Sequence, residues 1–260
     1  VMKKVLLALV LALVLAPAAF AAGKVITVGV TPFPHKDIMV VVKGILAKQG
    51  YDLQIKEFTD YITPNTALAE KSLNANFFQH IPYLQNTCKE KGLDLTWVAK
   101  IHIEPLGLYS KKIKKLADLK NGASIAIPND PTNCARALRL LEKSKLIKVK
   151  AGELVTAKDI TSNPKNLNFK ELDAAQLPRT LEDVDAAVIN TNFAGEAGLI
   201  PSKDAIVIEG KDSPYANVIA VRTEDKNKPE IKALVKAANS KEVKDYINKV
   251  LVPKGIVPAF

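Results

Sequence analysis

The stretch from Trp97 to Tyr109 limits the architecture more than any other. Trp97 to Ile103 and Leu106 to Tyr109 are two extended pieces, separated by Glu104-Pro105. An extended connector in mid-chain carries the polypeptide out of one lobe and into another. What precedes and follows it must then be folded units in their own right.

Before the connector, strand and helix patterns alternate. Val25 to Val30 is a short β-branched run ending in Thr-Pro-Phe-Pro, and a helical pattern follows from His35 to Lys48 with Gly50 placed to stop it. Leu53 to Phe58 alternates apolar and polar residues as a strand does. A strand–helix–strand unit of this kind predicts a parallel sheet with a right-handed crossover. Asn65 to Lys71 reads as a short helix, Ala75 to Phe78 as a strand, and Pro82 to Lys91 as a helix closed by Gly92.

The same logic repeats after the connector. Ser124 to Ile127 is a strand, and Thr132 or Asn133 can cap a helix running to about Lys145. Leu167 to Leu172 and Ala186 to Ile189 are strands, with a short helix over Leu177 to Asp183 between them. Ile206 to Ile208 and Val218 to Val221 are the last strands, and helices over Pro229 to Asn239 and Ser240 to Leu251 complete the chain. The expected fold is α/β and two-lobed, of the periplasmic-binding-protein kind, with a hinge and a cleft between the lobes. Residues 22–104 plus 218–260 would form lobe one and 105–217 lobe two. A single doubly wound domain is the alternative. The cleft is the natural binding site.

Residues 1–21 stand outside this scheme. Lys3 and Lys4 open the chain, an apolar run of eleven residues spans Val5 to Leu15, and Ala19-Phe20-Ala21 is a small-x-small cleavage signal. This reads as a cleaved signal peptide, because a membrane span needs about 20 apolar residues. An exported protein is therefore expected.

The formal net charge is +10, and +8 without Lys3 and Lys4. The charge comes from dispersed lysines and only four arginines, unlike the one-sided basic faces of nucleic-acid readers. No nucleic-acid partner is expected. Cys88 and Cys134 fall in different predicted lobes and read as free thiols. No CxxC or HxxxH spacing marks a zinc site, and no metal or cofactor is expected.

Catalytic signatures are also missing. The sequence after the leader contains no GxSxG, P-loop, HExxH or GxGxxG, and His35 and His102 show no acidic or serine motif around them. The expectation is a protein that is not an enzyme. What the chain offers instead is polar groups at strand ends and turns. Arg136 is expected in the first turn of its helix, beside free backbone N–H groups. There it suits a carboxylate, held bidentately, or else forms an ion pair. Asn190 follows the strand Ala186 to Ile189, and Asn217 lies at the second predicted crossing. Amides both donate and accept, so the two suit a zwitterion, although each is also a common turn residue. Phe77-Phe78-Gln79-His80-Ile81-Pro82-Tyr83 concentrates aromatic and imidazole rings where a strand meets a helix. It is either a plain buried cluster or the wall of a ligand site.

Several segments together carry a family resemblance. In order they are Thr31-Pro32-Phe33-Pro34-His35, Asp60-Tyr61, Asn74 to Leu84, Asn129-Asp130-Pro131-Thr132-Asn133, Val188 to Asn192 and Ser213-Pro214-Tyr215-Ala216-Asn217. They resemble the methionine-binding proteins of bacterial ABC importers, the NlpA lipoprotein family, over essentially all of the chain after the leader. The resemblance implies a monomer that captures L-methionine and delivers it to a permease and its ATPase. D-methionine or a methionine-containing dipeptide are alternative ligands, and an exported two-lobed enzyme acting on a small amino acid is an alternative role. By resemblance Tyr61, Phe78, His80 and Tyr83 would surround the thioether, Arg136 would take the carboxylate, and Asn190 and Asn217 would hold the head group. Two departures stand out. No cysteine precedes Cys88, so a soluble periplasmic protein without a lipid-attachment cysteine is expected. Cys134 stands two residues from Arg136, where a thiol would narrow the pocket.

Overall fold

A computed structural model describes residues 24–210 and 213–260. The expected signal peptide lies outside the described residues. Among those residues, no helix is long and apolar enough to cross a membrane.

Two mixed sheets organise the chain. The first contains β1 (Lys24–Val30), β2 (Tyr51–Glu57), β3 (Ala75–His80), β4 (Leu95–Ile103), β12 (Ala216–Arg222) and β13 (Val257–Pro258), in the order β13-β4-β12-β3-β1-β2. The second contains β5 (Gly107–Tyr109), β6 (Ser124–Pro128), β9 (Asn168–Leu172), β10 (Ala186–Ile189) and β11 (Val207–Ile208), in the order β11-β5-β10-β6-β9. A separate hairpin-like pair joins β7 (Lys148–Val149) to β8 (Ile160–Ser162). The helices are α1 (Asp37–Ala47), α2 (Thr63–Ala69), α3 (Ile81–Lys91), α4 (Pro131–Lys143), α5 (Thr191–Glu196), α6 (Pro201–Asp204), α7 (Pro229–Ala238) and α8 (Lys241–Tyr246).

Both sheets are covered on both faces, and period-two alternation shows how. In β6, Ile125 and Ile127 pack with Leu138 and Leu141 of α4, while Ala126 turns to the opposite cluster with Leu177 and Phe193. In the first sheet, Phe77 joins Ile26, Val28 and Val30 against Ile38, Met39, Val42 and Leu46 of α1. Val218 and Ala220 face the other way, onto Leu68 and Leu84. The near-continuous apolar run of a doubly covered strand follows from this.

The parallel sheet expected from the first strand–helix–strand unit holds for β2-β1-β3, and β9-β6-β10 is also parallel. The edges differ. β12 runs antiparallel between β3 and β4, and β5 runs antiparallel to β10 and β11. The chain passes from the first sheet to the second between Ile103 and Gly107, and returns between Ile208 and Ala216. The two-lobed architecture has its cleft between these sheets.

Three local differences matter for the site. The first long helix starts at Asp37 and not at His35, because Pro32–Lys36 forms a separate turn in which Phe33 is extended. The cap of α4 is Asp130, since Pro131 is preorganised for the first helical position and leaves the preceding carboxylate to accept the Asn133 N–H. That cap moves Arg136 to the sixth residue of α4, past the free N–H groups of the first turn.

Candidate functional site

The site grows from the end of β3. His80 terminates the strand and caps α3, its Nδ1 accepting the Tyr83 backbone N–H at 3.1 Å. A nitrogen that accepts carries no proton, so the ring proton sits on Nε2. From there it donates to Asn133 Oδ1 at 3.1 Å. Burial and the nearby Arg136 charge push His80 down to about 3, keeping the ring neutral. Asn133 is fixed from behind, its Nδ2 donating to Asp130 Oδ2 at 2.9 Å. The same Oδ1 also accepts from Asn190 Nδ2 at 2.9 Å. This chain of donors sets the polarity of Asn190: its nitrogen is used, and its Oδ1 is a buried acceptor without a partner among the described residues.

Arg136 is buried and belongs to an ion pair. Its Nε donates to Glu209 Oε1 at 3.1 Å and its Nη2 to Glu209 Oε2 and to the Glu104 carbonyl oxygen, the latter at 2.7 Å. The Tyr215 ring lies 4.1 Å from the guanidinium carbon, a cation–π placement. Nη1 makes no hydrogen bond among the described residues.

Facing these groups is an aromatic wall. Ring centroids of Tyr61 lie 5.8 Å from Phe78 and 5.7 Å from Tyr83, within the usual range for aromatic pairs. The Tyr83 hydroxyl donates to the Tyr61 carbonyl at 2.9 Å, and the Tyr61 hydroxyl donates to Asn192 Oδ1. Burial raises the Tyr61 hydroxyl well above its ordinary range, so it stays a neutral donor.

Behind the wall lies a buried cluster in which three segments meet. The Glu104 Oε1 stands 2.6 Å from His102 Nε2 and 3.3 Å from His35 Nε2. Its Oε2 accepts the Asn192 backbone N–H at 3.1 Å. His35 Nε2 also reaches Asn217 Oδ1 at 3.0 Å, and His35 Nδ1 reaches Thr31 Oγ1 at 2.7 Å. Two imidazoles and a carboxylate within 4.8 Å of one another are the one set among the described residues able to hold a divalent ion. Here they hydrogen-bond to each other, and of the three side chains only His102 Nδ1 is left buried without a partner among the described residues.

Tyr61, Phe78, His80, Tyr83, Arg136, Asn190 and Asn217 all line one cavity, together with Gln79, Glu104, Asn133 and Thr191. The first sheet and its loops contribute the aromatic side, and the second contributes Asn133, Arg136, Asn190 and Thr191. The cavity thus offers an apolar half and a polar half with donors and a lone acceptor. Four lining residues were missed. Asn133 stood in a noticed motif but read only as a cap, and Glu104 read only as part of the connector. The histidine cluster had a visible signal in His102-Ile103-Glu104, whose acid is two residues from the ring. Cys134 corrects an expectation: it packs with Leu138 and Ala135 in the core and does not line the cavity. Burial pushes its thiol up to about 12. Cys88 and Cys134 are both free.

Known proteins resemble this chain over most of its length. The model of the NlpA lipoprotein family matches residues 26–260. The D-methionine-binding lipoprotein MetQ of Salmonella typhimurium is 46% identical over 230 residues, covering 86% of this chain and 85% of the relative. A nutrient binding protein from Burkholderia cenocepacia, solved bound to methionine, shares 48% identity with a TM-score of 0.88, over 90% of this chain and 100% of that one. An ABC transporter periplasmic substrate-binding protein from Coxiella burnetii shares 49% identity with a TM-score of 0.86, over 90% and 100%.

These likenesses overturn the expectation of a soluble periplasmic protein lacking a lipid-attachment cysteine. The matching family is one of lipoproteins, and the Salmonella relative is itself named a lipoprotein. A leader segment without cysteine is therefore no ground for calling the chain untethered. From Ile26 to its last residue, Phe260, this chain belongs to the NlpA lipoprotein family.

Proposed function

We propose that this protein is the substrate-binding component of an ABC importer, that it captures methionine in the cavity between its two sheets, and that it hands the ligand to a permease driven by an ATPase. It performs no chemistry on the ligand and acts as a monomer. The first sheet forms one lobe and the strands between Gly107 and Ile208 the other, and the lobes close on the ligand. The expected boundary after Asn217 moves ahead of Ala216, because β12 already pairs there with β3 and β4. The observation that carries this reading is the split of the cavity into an aromatic half and a zwitterion-matched half.

Tyr61, Phe78, His80 and Tyr83 surround the thioether. Burying such a side chain contributes about 1.5–3 kcal/mol, and sulfur–aromatic contacts about 0.3–1.5 kcal/mol more. Arg136 takes the carboxylate through the free edge of its guanidinium. The lone Asn190 Oδ1 accepts from the ammonium, and Asn217 donates to the carboxylate. Glu209 already neutralises Arg136, so a neutral zwitterion enters without adding net charge to the site. The likenesses to a methionine-bound protein and to a D-methionine-binding lipoprotein support the ligand class.

Calorimetry on protein stripped of ligand by unfolding and refolding tests the proposal. Methionine should bind with a Kd below about 100 μM, and competition between the L and D forms reads the handedness. Failure of either form to bind, or turnover of the bound amino acid, would sink it.

A further inference from the structure

His35 is fully buried, lies outside the cavity lining, and is placed where it controls an atom that does line it. Its Nε2 faces two groups at once, the Glu104 Oε1 at 3.3 Å and the Asn217 Oδ1 at 3.0 Å. A carboxylate only accepts, so the ring proton belongs on Nε2. Nδ1 is then the acceptor for the Thr31 hydroxyl at 2.7 Å. Burial holds His35 down to about 4, so a second ring proton is not taken up near neutrality.

With the proton on Nε2, only one orientation of the Asn217 amide avoids donor facing donor. The oxygen must turn to His35, and the Nδ2 must turn to the cavity. An asparagine amide has no intrinsic preference between its two ends, and a flip would present an acceptor where a carboxylate must sit. Neighbouring β12 backbone restrains the side chain but not the amide polarity, since Asn217 pairs with His80 and His102 through main-chain atoms.

We propose that His35 is a positioning residue, which fixes the Asn217 amide with its donor end toward the ligand and so selects ligands bearing a free carboxylate. Thr31, His35 and Asn217 thus form a relay of polarity ordered by the charge on Glu104. The inference rests on the reading of the cavity as a methionine site.

The test compares affinities for methionine and for methioninamide, which differ only in the carboxylate. In His35→Phe, which keeps a ring against Phe77 but has no donor, the preference for methionine should fall at least tenfold. His35→Gln, which restores a donor to Asn217, should return it to within threefold of the parent. An unchanged preference in a His35→Phe protein that still melts cooperatively overturns the proposal. Should that variant not fold, the ¹⁵N spectrum of the parent's histidines decides: a proton on Nε2 of His35 supports the relay, and one on Nδ1 overturns it. If the parent binds neither compound, the methionine reading fails instead, while the tautomer measured on the same sample still judges the relay.

Discussion

Three histidines share one physical situation, and it governs how the protein answers to acid. Burial is the leading cause in each case, pushing His35 down to about 4 and His80 and His102 to about 3, from an ordinary 6.5. Between those values and 6.5 the unfolded chain binds protons that the native rings refuse. Stability is therefore intact above pH 6.5 and is lost as pH falls toward 4, levelling off near 3. Glu104 works in the opposite sense, because burial raises its carboxyl and the native form takes a proton more readily than the unfolded chain. Asp37 and Glu196 act in the same sense as Glu104, while Glu142, Asp159, Asp185 and Asp225, whose carboxyls are held low in the native state, add to the loss in acid. Melting temperatures recorded across this range should decline with acidity, and His102→Phe should flatten the decline; a flat profile in the parent would contradict the account. At this scale the sequence was half legible. The aromatic motif at β3 announced itself by density, since four rings crowd into seven residues, Phe77 to Tyr83. Of the histidine cluster only the His102–Glu104 pair left a local signal, because His35 and Glu104 are 69 positions apart and meet only through the fold (104 − 35 = 69).

Elements show the same division between local and distant causes. The stop of α3 at Gly92, whose φ of 63° an L side chain resists, was readable from neighbouring residues alone. So was the strand Ala186 to Ile189, apolar at every position. The α4 cap was misread by two or three residues, because Thr132 and Asn133 are good capping types and only Pro131 tells that the helix has already begun. The short α5 went unseen: six residues after Asn190 carry too little periodicity to declare a helix. The approach of β1 to its covering residues is equally invisible in the chain and makes a prediction. A Cβ on Gly29 would lie 2.6 Å from Leu73 Cδ1 and 2.8 Å from Phe58 Cε2, where the buried Leu73 has little room to yield. Gly29→Ala should destabilise the protein by about 1–3 kcal/mol in denaturant titrations. Gly29 lies outside the cavity lining, so methionine affinity of the folded fraction should be unchanged.

For the whole molecule, pattern reading captured two αβ units and the crossing near Glu104, and missed how the first sheet is completed. Strand identity is written in short windows, but strand order is not: β12 is the eleventh-hour partner of β3 and β4, more than a hundred residues downstream of both. Its position has a consequence for the order of events in folding. All five strands of the second sheet fall between Gly107 and Ile208, one uninterrupted stretch of chain. Without Ala216–Arg222, by contrast, the first sheet is split into β2-β1-β3 on one side and β13-β4 on the other. Closing so large a loop costs entropy that only the finished sheet returns. The inserted unit should therefore gain its protection first, although it is made second. Pulsed hydrogen exchange during refolding should protect the amides of β6 and β10 before those of β3 and β4, and simultaneous protection would refute the order. A chain built in this way leaves its first sheet open until nearly its last strand is present, so loss of Ala216–Arg222 would bare the edges of both β3 and β4.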